Sequence, residues 1–263
     1  VPGRRAARHY GQATEVLVST GAVNLGASGL TPAGRWDLMR RMARSVVLET
    51  TPRCERCRCT PRWCICAGFQ AVASPLAADV LIHKREYWRP TSTGRLINRV
   101  VTDSRGHVFW QEKPPVRAAV ARPGRELWIL HPRGEELPAG ADPANLQVLL
   151  LDGSWSEAGS MLEVVGQWGR RVSLPLSGPS RYWLRNAPGA GKYATVEALM
   201  FLYAALGLAE AEAALRRQFE LHVYAGLRTR GAKAIADEFL ATSPLRAAMP
   251  DLLARLGERR PNP

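Results

Sequence analysis

The sequence predicts an α/β domain with a largely parallel sheet, joined to a small N-terminal metal-binding module. Three observations carry this expectation. Beyond Cys66, short apolar runs alternate with segments of helical period. All five cysteines fall between Cys54 and Cys66. The 263 residues carry 36 Lys and Arg against 23 Asp and Glu, a formal charge of +13, and such an excess attracts polyanions, nucleic acid first among them.

Taken in order, residues 1–34 are rich in Gly and Ala with weak periodicity, and a loosely ordered leader is expected there. Over 35–49, Leu38, Met39, Met42, Val46 and Val47 fall near one helical face, with Arg40, Arg41 and Arg44 between them. This basic helix and the cysteines that follow form a module over 35–70; from 35 to 66 it holds eight arginines and three acidic residues. Residues 71–263 form the main domain. Strands are expected at 78–83, 107–110, 126–131, 147–151 and 171–176, and helices at 91–100, 156–168, 195–208 and 211–224. No apolar run follows Arg4, Arg5 and Arg8, and the most apolar stretch, 194–208, is too short for a bilayer and contains Glu197. The expectation is a soluble cytoplasmic protein with no membrane association.

The cysteines read Cys54-x2-Cys57-x-Cys59-x4-Cys64-x-Cys66. Four thiolates at such short range suit tetrahedral zinc, with Cys54, Cys57, Cys64 and Cys66 as the ligand set and Cys59 either spare or in competition with Cys57. Four sulfur ligands leave no open position, so the zinc would be structural. Unligated core thiols and a redox pair are the weaker alternatives.

The apolar run 149–151 passes into Asp152-Gly153-Ser154-Trp155 and then a helix. Ser154 and Glu157 have the spacing of a capping box. Ligands of parallel α/β sheets bind beyond the carboxyl ends of strands, beside helix N-termini. Gly153 would permit a close backbone approach or a positive φ. Asp152 would then point into a cleft, to orient a ligand or accept a proton. Trp155 would stack on a base or pack in the core. An ordinary turn with a capping serine reads equally well. Two more polar clusters adjoin strand ends: His83-Lys84-Arg85-Glu86 with the 89–95 segment after it, and the 182–185 segment before Thr195 and Glu197. Thr195 makes a good N-cap and Glu197 complements a helix dipole, so both also have purely structural readings.

These residues, in this order, resemble the DTW-domain proteins, tRNA-uridine aminocarboxypropyltransferases. The Asp-x-Thr-Trp signature stands here as Asp152-Gly153-Ser154-Trp155. The Cys-x2-Cys-x6-Cys-x-Cys pattern stands as Cys54, Cys57, Cys64 and Cys66. A His-x2-Glu and Thr-Gly-Arg-Leu block is matched by His83, Glu86, Thr93, Gly94, Arg95 and Leu96. A fourth block is matched by Tyr182, Leu184, Arg185 and the run Ala194-Thr195-Val196-Glu197-Ala198. The agreement runs from about residue 52 to 208. Ser154 replaces the signature threonine, keeping its hydroxyl and losing its methyl; Ala194 stands where the family often has serine; Cys59 is an addition.

The resemblance implies a SPOUT-like fold with a C-terminal knot, S-adenosylmethionine as donor, and N3 of a tRNA uridine as acceptor. Asp152, Ser154 and Trp155 would form the catalytic group. His131, Pro132, Leu151 and Asp152 would cradle the donor, with Arg95 or Arg185 on its carboxylate and Thr195 and Glu197 beside it. Trp155 or Trp183 would stack on the splayed base. The partners expected are tRNA and the donor, with no obligate protein partner. The rival readings are a SPOUT-type RNA methyltransferase and a non-enzymatic zinc-containing RNA-binding protein. No helix carries the recognition pattern of a DNA-binding finger or helix-turn-helix.

Overall fold

The computed structural model describes residues 52–185 and 192–258. The leader expected over 1–34 and the basic helix over 35–49 lie outside these residues. In chain order the elements are β1 (Ala77–His83), α1 (Lys84–Tyr87), α2 (Thr93–Val100), β2 (Gly106–Phe109), α3 (Arg117–Val120), β3 (Glu126–Glu135), β4 (Leu146–Asp152), α4 (Trp155–Val165), β5 (Arg170–Val172), α5 (Thr195–Ala205), α6 (Ala209–Thr229), α7 (Lys233–Ala241), α8 (Leu245–Ala248) and α9 (Pro250–Gly257). The five strands form one sheet in the order β2-β1-β4-β3-β5, with every pairing parallel.

The two central strands explain why the sequence signal was strong there. All seven residues of β1 are buried, and β4 is buried but for the half-exposed Leu151. Parallel strands covered on both faces read as continuous apolar runs. Alternate side chains serve two separate cores. Leu81, Leu127, Ile129 and Leu149 meet Val120 of α3 and Met161 and Val165 of α4. Val80, Ile82, Trp128, Val148 and Leu150 face the larger core built with α2, α5 and α6.

Several boundaries differ from expectation. The last strand is only Arg170–Val172, because at an edge it pairs with β3 alone, through an irregularity between Leu130 and Glu135. The apolar helix stops at Ala205, three residues short, since Gly207 with φ +72° ends it. The amphipathic helix runs on to Thr229. Helices α7 to α9 were not anticipated. They are short, yet Ile235, Phe239, Leu245 and Leu252 extend the main core.

The described part of the cysteine segment is packed into that core rather than set apart from it. Cys57 and Ile65 are fully buried within it. Gln218 of α6 donates to the Gly68 carbonyl at 3.0 Å. Among the described residues, no helix is long and apolar enough to cross a membrane.

Candidate active site

A cavity of about 860 Å³ opens at the carboxyl end of the sheet, over β3, β4 and β5. Leu130, His131 and Pro132 form one wall, and Leu151, Gly153, Ser154 and Trp155 another. The returning segment supplies Tyr182, Arg185, Lys192 and Thr195. The volume lies in the range of small-molecule sites. Ser154 caps α4 as its spacing predicted: Ser154 Oγ accepts from the Glu157 amide at 3.3 Å, and Glu157 Oε2 accepts from the Ser154 amide at 2.8 Å. This fixes the turn that presents Trp155, which is 59% exposed and so no part of the core.

Asp152 sits beneath the cavity and is not in its wall. It is buried, and both carboxylate oxygens accept from hydroxyls: Oδ2 from Ser92 at 2.9 Å and Oδ1 from Thr195 at 2.5 Å. Ser92 is the N-cap of α2 and Thr195 the first residue of α5. One carboxylate thus ties the end of β4 to the starts of two helices. The packing demands glycine at both neighbours. A Cβ on Gly94 would lie 2.7 Å from Asp152 Oδ2, and one on Gly153 would lie 2.9 Å from Glu157 Cβ. Gly153 is therefore required for close approach and not for a positive φ.

A second polar group adjoins the first. Glu86 is fully buried between two guanidinium groups, Arg89 Nη1 and Arg185 Nη2, each 2.5 Å from one of its oxygens. Burial pushes its carboxyl above the usual range. Arg185 is held in the cavity wall with its guanidinium over the Tyr182 ring. The Tyr182 hydroxyl donates to the Thr91 carbonyl, closing the returning segment onto the 89–92 turn ahead of α2. His83 Nδ1 lies 3.1 Å from Glu157 Oε1.

Away from this site, the sulfurs of Cys54, Cys57, Cys64 and Cys66 all lie within 4.8 Å of one another. Cys54 and Cys66 are 3.5 Å apart, and Cys57 and Cys64 are 3.8 Å apart. Ligands ~2.3 Å from a tetrahedral zinc stand ~3.8 Å from each other, so this donor set fits that ion. Cys59 falls outside the group. Its carbonyl accepts from the Cys54 amide at 2.9 Å, and the adjacent Cys57 sulfur, with burial, pushes its thiol pKa up.

The family model of the DTW domain matches residues 51–225. The chain belongs to the DTW-domain family. No solved structure matches it. The DTW match spans the cysteine cluster and the whole sheet and ends inside α6. It thus takes in the Asp152–Ser92–Thr195 junction, the Glu86–Arg185 pair and the cysteine cluster.

The structure redistributes several residues of the expected DTW site. Arg95 does not reach the cavity: it donates to the Tyr87 carbonyl at 2.9 Å and stacks over the Tyr87 ring. Glu197 is buried behind it, accepting from Ser180 Oγ and from the amides of Arg181 and Ala194. It pins the returning segment to α5. Thr195 is not the N-cap of α5; Ala194 holds that place, and the Thr195 hydroxyl goes to Asp152 instead. Trp183 packs edge-on against Phe239. His131, Pro132, Leu151, Ser154, Trp155, Arg185 and Thr195 do line the cavity. Ser92, through Asp152, and Tyr182, Lys192 and Tyr193, in the cavity wall, join the site beyond the residues expected there. The Ser-Thr-Gly run was the signal for Ser92, as an N-cap ahead of a helix. Nothing short-range marked Lys192, which meets the cavity only through the fold.

Proposed function

We propose that this protein transfers the 3-amino-3-carboxypropyl group from S-adenosylmethionine to N3 of a tRNA uridine, giving 3-(3-amino-3-carboxypropyl)uridine and methylthioadenosine. The carrying observation is the DTW match over 51–225, since tRNA-uridine aminocarboxypropyl transfer is a known activity of that family. The cavity suits such a donor: apolar Leu130 and Leu151 for the adenosine, cationic Arg185 and Lys192 for a carboxylate.

The donor supplies an electrophilic methylene beside its sulfonium. The reaction forms one N–C bond, breaks one C–S bond and releases the N3 proton. Arg185, oriented by buried Glu86, would hold the donor carboxylate so that this methylene rather than the methyl faces the base. Asp152, with both oxygens occupied by hydroxyls, is assigned an orienting role: it positions Thr195 and the Ser154 turn, and the proton leaves to solvent. Trp155 would stack on the uridine, whose Watson–Crick edge must be unpaired to react. The DTW domain implies a tRNA substrate, and the cysteine set would hold a structural zinc. We include in this reading a SPOUT-like assignment with a C-terminal knot, and a zinc module over 35–70 whose described residues share the core of the 71–263 catalytic domain. The five-stranded, all-parallel sheet supports the α/β part of that assignment.

The test is incubation of zinc-loaded protein with unmodified tRNA and S-adenosylmethionine, with nucleosides and spent donor read by mass spectrometry. Aminocarboxypropyluridine with methylthioadenosine is expected. A methylated nucleoside with S-adenosylhomocysteine would replace the transferred group, and retained tRNA binding without donor binding would leave only an RNA-binding protein.

A further inference from the structure

Four large hydrophobic residues stand exposed among the described residues, and three are tryptophans: Trp88, Trp110 and Trp155. Trp155 belongs to the cavity mouth. Trp110 does not. It follows the edge strand β2, with 46% of its surface open.

Its surroundings are built and charged. The Lys84 ammonium sits 5.3 Å from the centre of the indole. Lys84 is itself held by both oxygens of Glu112, at 2.8 and 3.1 Å. The cation lies over the ring, and the open part of the indole is left to accept a second planar group. Arg85 and Lys113 lie exposed within three residues of Lys84 or Trp110, and the whole chain carries a charge of +13. An exposed aromatic face beside Lys84, Arg85 and Lys113, with the nearby Glu112 carboxylate taken up by Lys84, suits an unpaired base with its phosphates better than an apolar protein surface.

The platform is also continuous with the cavity. Along the carboxyl edge of the sheet the order is β2, β1, β4. The Phe109 ring, one residue before Trp110, lies 6.1 Å from His83 at the end of β1. His83 reaches Glu157 at 3.1 Å, and Glu157 accepts from the amide of Ser154, beside Trp155. Adjacent strands stand ~4.8 Å apart, so the ends of β2 and β4 are roughly 10 Å apart. That is a distance an extended single strand covers in a nucleotide or two.

We propose that Trp110, with Lys84, Arg85 and Lys113, is a stacking platform for an unpaired RNA base near the target uridine, so that the strand crosses the sheet edge from the cavity towards β2. This rests on the reading of the protein as a tRNA-modifying enzyme and names the surface through which that site takes its substrate.

The test uses the 263-residue, zinc-loaded protein and fluorescein-labelled tRNA anticodon-arm and D-arm stem-loops, with binding read by anisotropy. Trp110→Ala is expected to weaken RNA binding about tenfold, within the range for base–aromatic stacking, while Trp110→Phe stays within about threefold of the parent. The KM for tRNA rises, and kcat and donor binding by calorimetry are unchanged. An abasic sugar scanned along the loop should, at one position, weaken the parent as much as Trp110→Ala does and leave that variant unaffected. Lys113→Gln should lower the slope of log K against log salt by about one. If Trp110→Ala binds every RNA as the parent does, while the parent makes product, the platform is overturned and the proposed function stands. Loss of product at unchanged RNA affinity also overturns it. If the parent neither binds nor modifies RNA, both readings fall together.

Discussion

Asp152 is the residue on which three elements converge, and its two hydroxyl partners decide what its loss would do. Asp152→Ala leaves Ser92 and Thr195 without their shared acceptor in a buried place, at about 1–3 kcal/mol, and frees the starts of α2 and α5 to shift. A misplacement of ~1 Å near the reacting groups costs about 100-fold in rate, so kcat for tRNA should fall at least that far with the protein still folded. Asp152→Asn keeps the shape and one carbonyl acceptor, and should retain far more activity. Equal loss in both variants, in a kcat measurement with circular dichroism as the check on folding, would return the charged oxygen to a direct chemical role. The sequence made Asp152 and Ser154 legible because a strand, a turn and a cap are local. It left Arg95 and Arg185 indistinguishable as carboxylate binders. Only the fold separates them, by sending Arg95 to the Tyr87 carbonyl and Arg185 to the cavity.

At the level of elements, the sequence places β1 and β4 to within a residue at each end, because each has an unbroken apolar stretch, 80–82 and 148–151, that outweighs the buried polar residues Asp79 and Gln147 at its start. β5 was overextended and α7 to α9 were missed, because edge strands and short peripheral helices take their limits from neighbours. The cysteine segment was legible in its ligands and not in its packing. Cys57 and Ile65 lie inside the main core, so metal loss should be felt by the whole domain. Zinc present at a thousand times its Kd would stabilise by about 4 kcal/mol, or roughly 8–16 °C in Tm for a domain of this size. Cys64→Ser should lose both the metal, read by elemental analysis, and that margin in a melting scan, while Cys59→Ser keeps one zinc per chain. A Cys59→Ser protein without zinc would put Cys59 among the ligands. The start of β1 supplies a further check. Burial alone would raise the Asp79 carboxyl, but hydrogen bonds and charge from Arg122 and Arg105 outweigh it and hold its pKa down. A depressed acid gives stability that is present above its unfolded pKa of about 3.9 and is lost as pH falls through the lower folded value. Breaking such a pair from one side costs about 3 kcal/mol at the low end of the range for buried pairs, so Asp79→Asn should lower Tm by roughly 6–12 °C at neutral pH and flatten the acid limb. Activity per folded molecule should hold, since Asp79 lies near the strand end opposite the cavity.

For the molecule as a whole, the charge excess outlasts the internal pairing. Arg105 and Arg122 serve Asp79, Arg89 and Arg185 serve Glu86, and Arg181 serves Glu220. Pairing opposite charges leaves their sum unchanged, so the net +13 stays to be balanced by something outside the chain. If tRNA balances it, binding must release counterions in proportion to the phosphates covered. A contact with six to ten phosphates loses about 10³- to 10⁵-fold in affinity between 50 and 200 mM salt. S-adenosylmethionine, a small ion in a partly apolar cavity, should show almost none of that dependence over the same range. Filter binding of tRNA and calorimetry of the donor across a salt series therefore separate the two halves of the proposed reaction on one sample. A tRNA affinity that falls less than tenfold over this range would mean that the RNA rests on a few stacked bases at the sheet edge, with most of the positive surface turned away from it.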